Sequence, residues 1–419
     1  MCQHLTSYLN YKRIKRSIDS PKTIYFVWNY LEWGGVQIYF LGLMRAAAQK
    51  YKVKVVLPAG SDRKILQYLE VNNFEYEFFN GNIDFSDAST FRQKIARRWN
   101  DFRTNLSLGA HLSRNDLSDS IVQIDVAPWA GFVLLFYLTL QTNVFVTFHT
   151  GLPAVSSVKR ILWQTKFAIL TAFRRFQIAA SNFDVKQSLQ PYVSNSRFRQ
   201  IEVIYSSING EEIRQVLSNN KTRQEIATRY NFPADKLWAC NVAQFIERKG
   251  CWIFLEAIEI LLERRKDLFF YWLGTADLSG EVRARIEKYK LAENFRFLSA
   301  VETGASRIDL LTLLEASDLF VLPSFQEGLP VALIEAMALR KPCIASNVNA
   351  IPEAIKDFET GILVDSGNSQ KLAEAIERLA DDSEMRRKLG ENAGKFAAGN
   401  FEEKITGQKM LRLFEKLAV

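Results

Sequence analysis

Two carboxylates set in one short stretch carry the first chemical signal. In residues 319–339, LFVLPSFQEGLPVALIEAMAL, Glu327 lies in the polar turn Gln326-Glu327-Gly328, and Glu335 lies in the apolar segment after Pro330. The apolar run at 319–322 predicts a buried parallel strand. Pro330 suits the first position of a helix, where a missing N–H does no harm. Strand, glycine-bearing turn and helix N-terminus together present backbone amides and a positive dipole end to an anion. At ~1.5 Å per residue, Glu335 falls about 7 Å along the helix axis. Its neighbours are apolar nearly all round, so the helix should be buried. A carboxylate there needs a partner. Two partners fit: a Lys or Arg in the core, or the hydroxyls of a ligand, with Glu327 nearer the reacting end.

Three other strand ends bear candidate groups. Residues 23–28 read as a first strand, and Gly34-Gly35 follow at its turn into a helix, where paired glycines let the backbone approach a ligand closely. No G-x-G-x-x-G is present, which disfavours a dinucleotide oxidoreductase. Residues 144–148 form a strand ending at His149, the edge at which open α/β sheets bind ligands. An imidazole neutral near pH 7 can hydrogen-bond a substrate there or handle a proton. After the strand at 237–243 comes Gln244-Phe245-Ile246-Glu247-Arg248-Lys249-Gly250, which brings Arg248 and Lys249 into a turn. Taken alone, such a lysine reads as facing solvent.

Glu327 and Glu335, with seven residues between them in PSFQEGLPVALIEAMA, resemble the E-x7-E signature of retaining glycosyltransferases of family 4, which have the GT-B fold. The following segment, Lys341-Pro342-Cys343-Ile344-Ala345-Ser346, resembles the family's next strand. Ile351-Pro352-Glu353 and Glu359-Thr360-Gly361-Ile362-Leu363-Val364 resemble its next turn and strand. The resemblance implies transfer of a hexose-type sugar from a nucleoside-diphosphate sugar to a glycan or lipid-linked acceptor, with retention of anomeric configuration. Glu327 would touch the donor sugar and stabilise positive charge at its anomeric centre, and Glu335 would hold the ribose hydroxyls. The amides of Gly328 and Leu329 would meet sugar or phosphate, and Lys249 would neutralise the diphosphate. His149 and the Gly34-Gly35 loop would face the cleft, and the backbone at Ser299-Ala300-Val301 would meet the nucleobase. The chain departs from the family at Gln244, where an arginine is usual. Arg248 beside Lys249 is the candidate for replacing that charge. The resemblance implies no metal and no cofactor beyond the sugar nucleotide as co-substrate. Another GT-B enzyme, of epimerase or phosphorylase type, or a non-catalytic nucleotide-sugar binder, stays open at this point.

Composition sets the frame. A chain of 419 residues exceeds the size at which one core stops growing, so two domains are expected. Hydrophobic residues make up 48% and phenylalanines number 30, which supplies ample core and excludes disorder. The 54 basic against 46 acidic residues leave a net +8. That suits nucleotide phosphates or an anionic membrane surface as partners and is too mild for nucleic acid. Cys2, Cys240, Cys251 and Cys343 form no C-x-x-C pair, which fits a reducing compartment and no metal site. No signal peptide is visible, and the longest apolar run, 130–140, is too short to span a bilayer. A cytoplasmic protein, at most peripheral to the inner membrane face, is the expectation.

Residues 1–21 read as a basic arm bearing Lys12, Arg13, Lys15 and Arg16. Strands alternate with helices over 22–205 and again over 206–400, which predicts an α/β protein of two doubly wound, Rossmann-like domains facing across a cleft. The first would be the acceptor side and the second the nucleotide-sugar side. An Arg/Lys-bearing helix is expected around 91–102, with contact to solvent or to an anionic acceptor. Helices are expected over 158–175, 281–290 and 370–395. By resemblance, the last helix, 401–419, would cross back to the first domain.

Overall fold

The computed structural model describes residues 22–29, 35–82, 90–219, 222–275, 284–287, 291–299, 302–303 and 306–418. The basic arm, Gly34, Ala300-Val301 and most of the helix expected over 281–290 lie outside these, although 284–287 are helical.

Two parallel sheets form the frame. The first has seven strands: β1 (Thr23–Val27), β2 (Lys52–Pro58), β3 (Glu75–Phe79), β4 (Ile121–Ile124), β5 (Asn143–Phe148), β6 (Phe176–Ala180) and β7 (Glu202–Val203), in the order β3-β2-β1-β4-β5-β6-β7. The second has six: β8 (Leu237–Val242), β9 (Leu268–Gly274), β10 (Phe295–Ser299), β11 (Leu319–Leu322), β12 (Cys343–Ser346) and β13 (Ile362–Val364), in the order β10-β9-β8-β11-β12-β13. Strands such as Ile121–Ile124 and Leu319–Leu322 are buried at every position because helices cover both faces of each sheet. In both sheets the strand order reverses once, between β1 and β4 and between β8 and β11. At such a reversal the flanking loops part on opposite sides and leave a crevice at the carboxyl edge.

The two layers on the first sheet differ in how they are covered. On one side, the helices Gly35–Ala47 and Arg63–Val71 share a core with Met410, Phe414 and Leu417 of the last helix, Glu403–Ala418. That helix has crossed back from the second domain, and Phe414 meets the rings of Phe145 and Tyr51 edge-on. Arg45 of the first helix is paired with Glu403 at its start. On the other side lie the helices Phe91–Leu112, Phe132–Gln141 and Ser157–Ala172, whose inner residues Leu108, Leu135 and Leu170 complete a separate core. The first of these runs ten residues beyond the expected 102, and the third stops at Ala172 rather than 175. The segment expected as a turn at Ile351-Pro352-Glu353 is a short helix, Ile351–Ala354, with proline in its first turn. The expected helical region at 370–395 is two helices, Ser369–Asp381 and Ser383–Asn400. Asp382 separates them and caps the second by accepting from the Met385 amide.

Candidate functional site

At the reversal of the second sheet, the turn after β8 and the turn after β11 lie side by side. The first closes as a short 3-10 turn, Glu247–Lys249, ended by Gly250 at φ +74°. A Cβ at Gly250 would lie 2.0 Å from the Pro323 carbonyl oxygen, so only glycine allows the two turns to touch. The Phe325 amide then donates to the Arg248 carbonyl at 2.9 Å. That contact brings the Lys249 Nζ to both carboxylate oxygens of Glu327, at 2.6 and 2.7 Å, and the Ser324 hydroxyl donates to the same carboxylate at 2.7 Å. Lys249, read from sequence as a solvent-facing residue if taken alone, is instead largely covered, at 16% side-chain exposure, with Glu327 at 5%. Arg248 is exposed, and its guanidinium donates to the Gln326 carbonyl at 3.2 Å, so it too leans over this turn. Gln244 is exposed at the end of β8. The helix Cys251–Leu262 begins immediately after Gly250, which points its N-terminus at the same spot.

Glu335 sits in the helix Val331–Ala338, which is buried on most sides as expected. Its partner is Arg307, the first residue of the helix Arg307–Ala316, and Arg307 also donates to Glu212 at 2.6 Å. Of the two partners that fit Glu335, the cation is the one in contact with it. Burial raises the Glu335 pKa, and Arg307 beside it pulls the value back. Burial opposes the charge on Arg307, yet the two carboxylates outweigh it and hold its pKa up. This triad is not sealed inside the second domain. Burial raises the pKa of Tyr68, on the first domain, and Arg307, Glu212 and Glu335 all act on its phenol electrostatically. Arg307 stands at the rim of the gap between the lobes because its helix starts on the carboxyl side of β10.

The reversal of the first sheet supplies the facing wall. His149, just past β5, is packed edge-on against the rings of Tyr39 and Phe40, at centroid distances of 4.6 and 5.4 Å. Its Nε2 lies 3.8 Å from the Asp125 carboxylate at the end of β4. Burial pushes the imidazole pKa down and Asp125 only partly restores it, so the ring is neutral near pH 7. Gly35 faces Val331 of the second domain, with a Cβ position 3.8 Å from that side chain. Gly328 is pressed against the first domain, since a Cβ there would lie 3.2 Å from the His149 carbonyl oxygen. Leu329 is buried beside it.

Sequence reasoning did not single out the groups that join the lobes. The Glu353 carboxylate accepts from the amides of Phe183 and Asp184 at 2.8 and 2.9 Å and from the Tyr205 hydroxyl at 3.0 Å. It thus caps the helix Phe183–Leu189 of the other domain, next to its own N-cap Asn182. Asn349, held at φ +44°, accepts from the Glu327 amide at 3.3 Å and donates to Asp184 at 3.4 Å. Arg307 was also missed, although a buried carboxylate in an apolar helix had called for a cation. Among the described residues, no three His, Cys, Asp or Glu side chains are grouped as metal ligands. No helix among these residues is long and apolar enough to cross a membrane.

Two Rossmann-like domains with their carboxyl edges opposed define the GT-B class of α/β proteins. Residues 211–396 match the family described as glycosyl transferases group 1. It is 28% identical over 197 residues to an alpha-D-kanosaminyltransferase of Streptomyces kanamyceticus, covering 47% of this chain and 50% of that one. It is 35% identical over 118 residues to the Campylobacter jejuni N,N'-diacetylbacillosaminyl-diphospho-undecaprenol alpha-1,3-N-acetylgalactosaminyltransferase, covering 28% and 31% of the two chains. These matches span half or less of each relative's length. The Anabaena protein HepE, solved in complex with UDP, has the same fold, with a TM-score of 0.74 and 16% identity over 94% of this chain and 99% of that one.

Proposed function

We propose that this protein transfers a hexose-type sugar from a nucleoside-diphosphate sugar to a glycan or lipid-linked acceptor, retaining the anomeric configuration. The observation that carries this reading is the meeting of Lys249, Ser324 and Glu327 at the strand-order reversal of the second sheet, opposite His149. A diphosphate arriving there replaces Glu327 as the partner of Lys249. Arg248 and the N-terminus of the helix Cys251–Leu262 add positive potential in place of the cation that Gln244 does not supply. Glu327, released from Lys249, then faces the sugar and stabilises positive charge developing at its anomeric carbon. The amides of Gly328 and Leu329 bind sugar or phosphate. Ribose hydroxyls donate to Glu335 and share it with Arg307. His149, neutral and aimed from the other lobe, hydrogen-bonds the donor sugar or the acceptor.

The UDP bound by a protein of the same fold and the diphospho-undecaprenol acceptor in a relative's name support this choice of substrates. A panel of UDP- and GDP-sugars with candidate acceptors tests it, read by product NMR. Acceptor-dependent release of nucleoside diphosphate with an axial-for-axial product is expected. Interconversion of sugars without transfer would instead indicate an epimerase-type enzyme, and phosphate-dependent cleavage of a glycan to sugar 1-phosphate a phosphorylase type. Binding of a sugar nucleotide with no turnover under any pairing would indicate a non-catalytic binder.

A further inference from the structure

The outer face of the first domain, formed by the helices Phe91–Leu112, Phe132–Gln141 and Ser157–Ala172, is apolar where a solvated layer should be polar. Along the first helix, Phe91, Ile95, Trp99, Phe102 and Leu106 recur every three or four residues and are exposed, Trp99 by 62%. That spacing makes one continuous stripe. Val133, Tyr137 and Leu140 extend it onto the second helix. On the third helix, Val158, Ile161 and Leu162 continue it, with Ile161 exposed by 63%. A groove of about 400 Å³ between the first two helices joins these rows, with Lys166 at its side. Most of the large exposed apolar side chains among the described residues lie on these three helices. An apolar face of this extent on a folded domain marks a surface meant to be covered.

Charge identifies what covers it. The first helix carries Arg92, Lys94, Arg97, Arg98 and Arg103 against one acid, Asp101, and the third carries Lys159, Arg160 and Lys166 and no acid. Arg174 and Arg175 follow directly. A second copy docked on this face about a two-fold axis would oppose cation to cation, which is unfavourable. Anionic lipid headgroups complement the cations, and the hydrocarbon beneath them accepts the aromatic and aliphatic stripe. Each of the three helices starts on the carboxyl side of the strand before it, so Phe91, Phe132 and Val158 stand at the edge that borders the cleft.

We propose that this three-helix face inserts shallowly into an anionic bilayer, which presents the headgroup of a membrane-held acceptor to the gap between the lobes. The proposal deepens the lipid-linked option in the function proposed above and rests on it. The test is co-sedimentation of the whole protein with vesicles of phosphatidylethanolamine and phosphatidylglycerol, and with vesicles of phosphatidylcholine alone. Wild type should bind the anionic vesicles at least tenfold more tightly. Binding should weaken as NaCl rises from about 0.1 to 0.5 M, through screening of the headgroup contacts, yet persist in part through the apolar stripe. The variant Trp99→Asp/Leu106→Asp, altered at exposed positions only, should lose most vesicle binding. It should keep its thermal transition and its sugar transfer to a water-soluble acceptor. Equal vesicle binding by wild type and variant, or no binding by either, overturns the proposal. So does a wild-type dimer in sedimentation velocity that the variant converts to monomer, since a second copy would then be what covers the face. Vesicle binding as described, with no transfer from any sugar nucleotide, leaves the surface standing and removes the transferase reading.

Discussion

The two reversals of strand order are built on opposite electrostatic plans. In the second domain the crevice holds opposite full charges in contact: Lys249 against Glu327, with Arg307 and Glu335 further along the rim. In the first domain it holds a neutral imidazole among rings, with one carboxylate, Asp125, 3.8 Å away. His149 lies between Tyr39 and Phe40, and Gln123 donates to Thr147 at 2.8 Å. Among the described residues, Trp28 Nε1, Asn29 Oδ1, Gln123 Oε1 and His149 Nε2 of this domain are buried without a hydrogen-bond partner. A self-paired charged crevice suits a ligand that brings its own charge and exchanges partners with it. One lined by rings, amides and an imidazole suits hydroxyl groups, which satisfy donors and acceptors without changing net charge. Under the proposed function, the same topology, used twice, would separate the handling of phosphate from the handling of sugar and acceptor.

Removing the anionic side of the charged crevice should have the largest effect. Glu327→Ala is expected to lower kcat by about 10²–10³-fold, the range for loss of one preorganised group facing charge that develops in the transition state. Product formation under single-turnover conditions reads this directly. Loss confined to KM would move Glu327 out of the chemistry and into ground-state binding. Lys249→Ala comes next. A hydrogen bond to a charged group contributes about 1.5–3 kcal/mol, so donor affinity should fall by about 10–100-fold, and more for sugar diphosphates than for the nucleoside alone. Equal losses for nucleoside and diphosphate would sink the phosphate assignment. Glu353→Gln reaches the seam between the lobes. It weakens the cap on the helix Phe183–Leu189, costs ~1 kcal/mol, and should raise the acceptor KM several-fold with a smaller change in kcat. Small-angle scattering should register a more open pair of domains.

The smallest effect belongs to the crevice of the first domain. His149 has a pKa lowered by burial, so the unfolded chain binds the proton more readily than the folded one. Its stabilising contribution is complete above the unfolded imidazole value of ~6.5 and is lost as pH falls from there toward the lowered folded value. Melting temperatures measured from pH 8 to 5 should decline for wild type, and His149→Asn should flatten part of that decline.

Much of this arrangement is legible in the residue order because it is local. The turn at Glu327 and its helix lie within one strand–turn–helix unit, His149 directly follows a strand, and Lys249 lies in the turn between a strand and its helix. Alternating strands and helices fix which edge of the sheet those turns share. What escapes is contact between distant segments. Arg307 meets Glu335 across 28 residues and a different strand–helix unit. Glu353 reaches the amides of Phe183 and Asp184 across a domain boundary, and no local pattern signals a carboxylate that caps another domain's helix. The exposed stripe on the helix Phe91–Leu112 has the spacing of a core face, so the sequence alone does not tell it from a buried one.

Calorimetric titration of UDP and GDP into wild type and into Glu335→Gln, which keeps the volume of the side chain beside Arg307, bears most directly on where the nucleotide sits. One of the two nucleotides should bind wild type, and the variant should weaken it at least tenfold, by taking the carboxylate away from the ribose hydroxyls. Unchanged affinity in the variant, with its fold intact by circular dichroism, would mean that Glu335 serves Arg307 alone and would contradict the proposed nucleotide site.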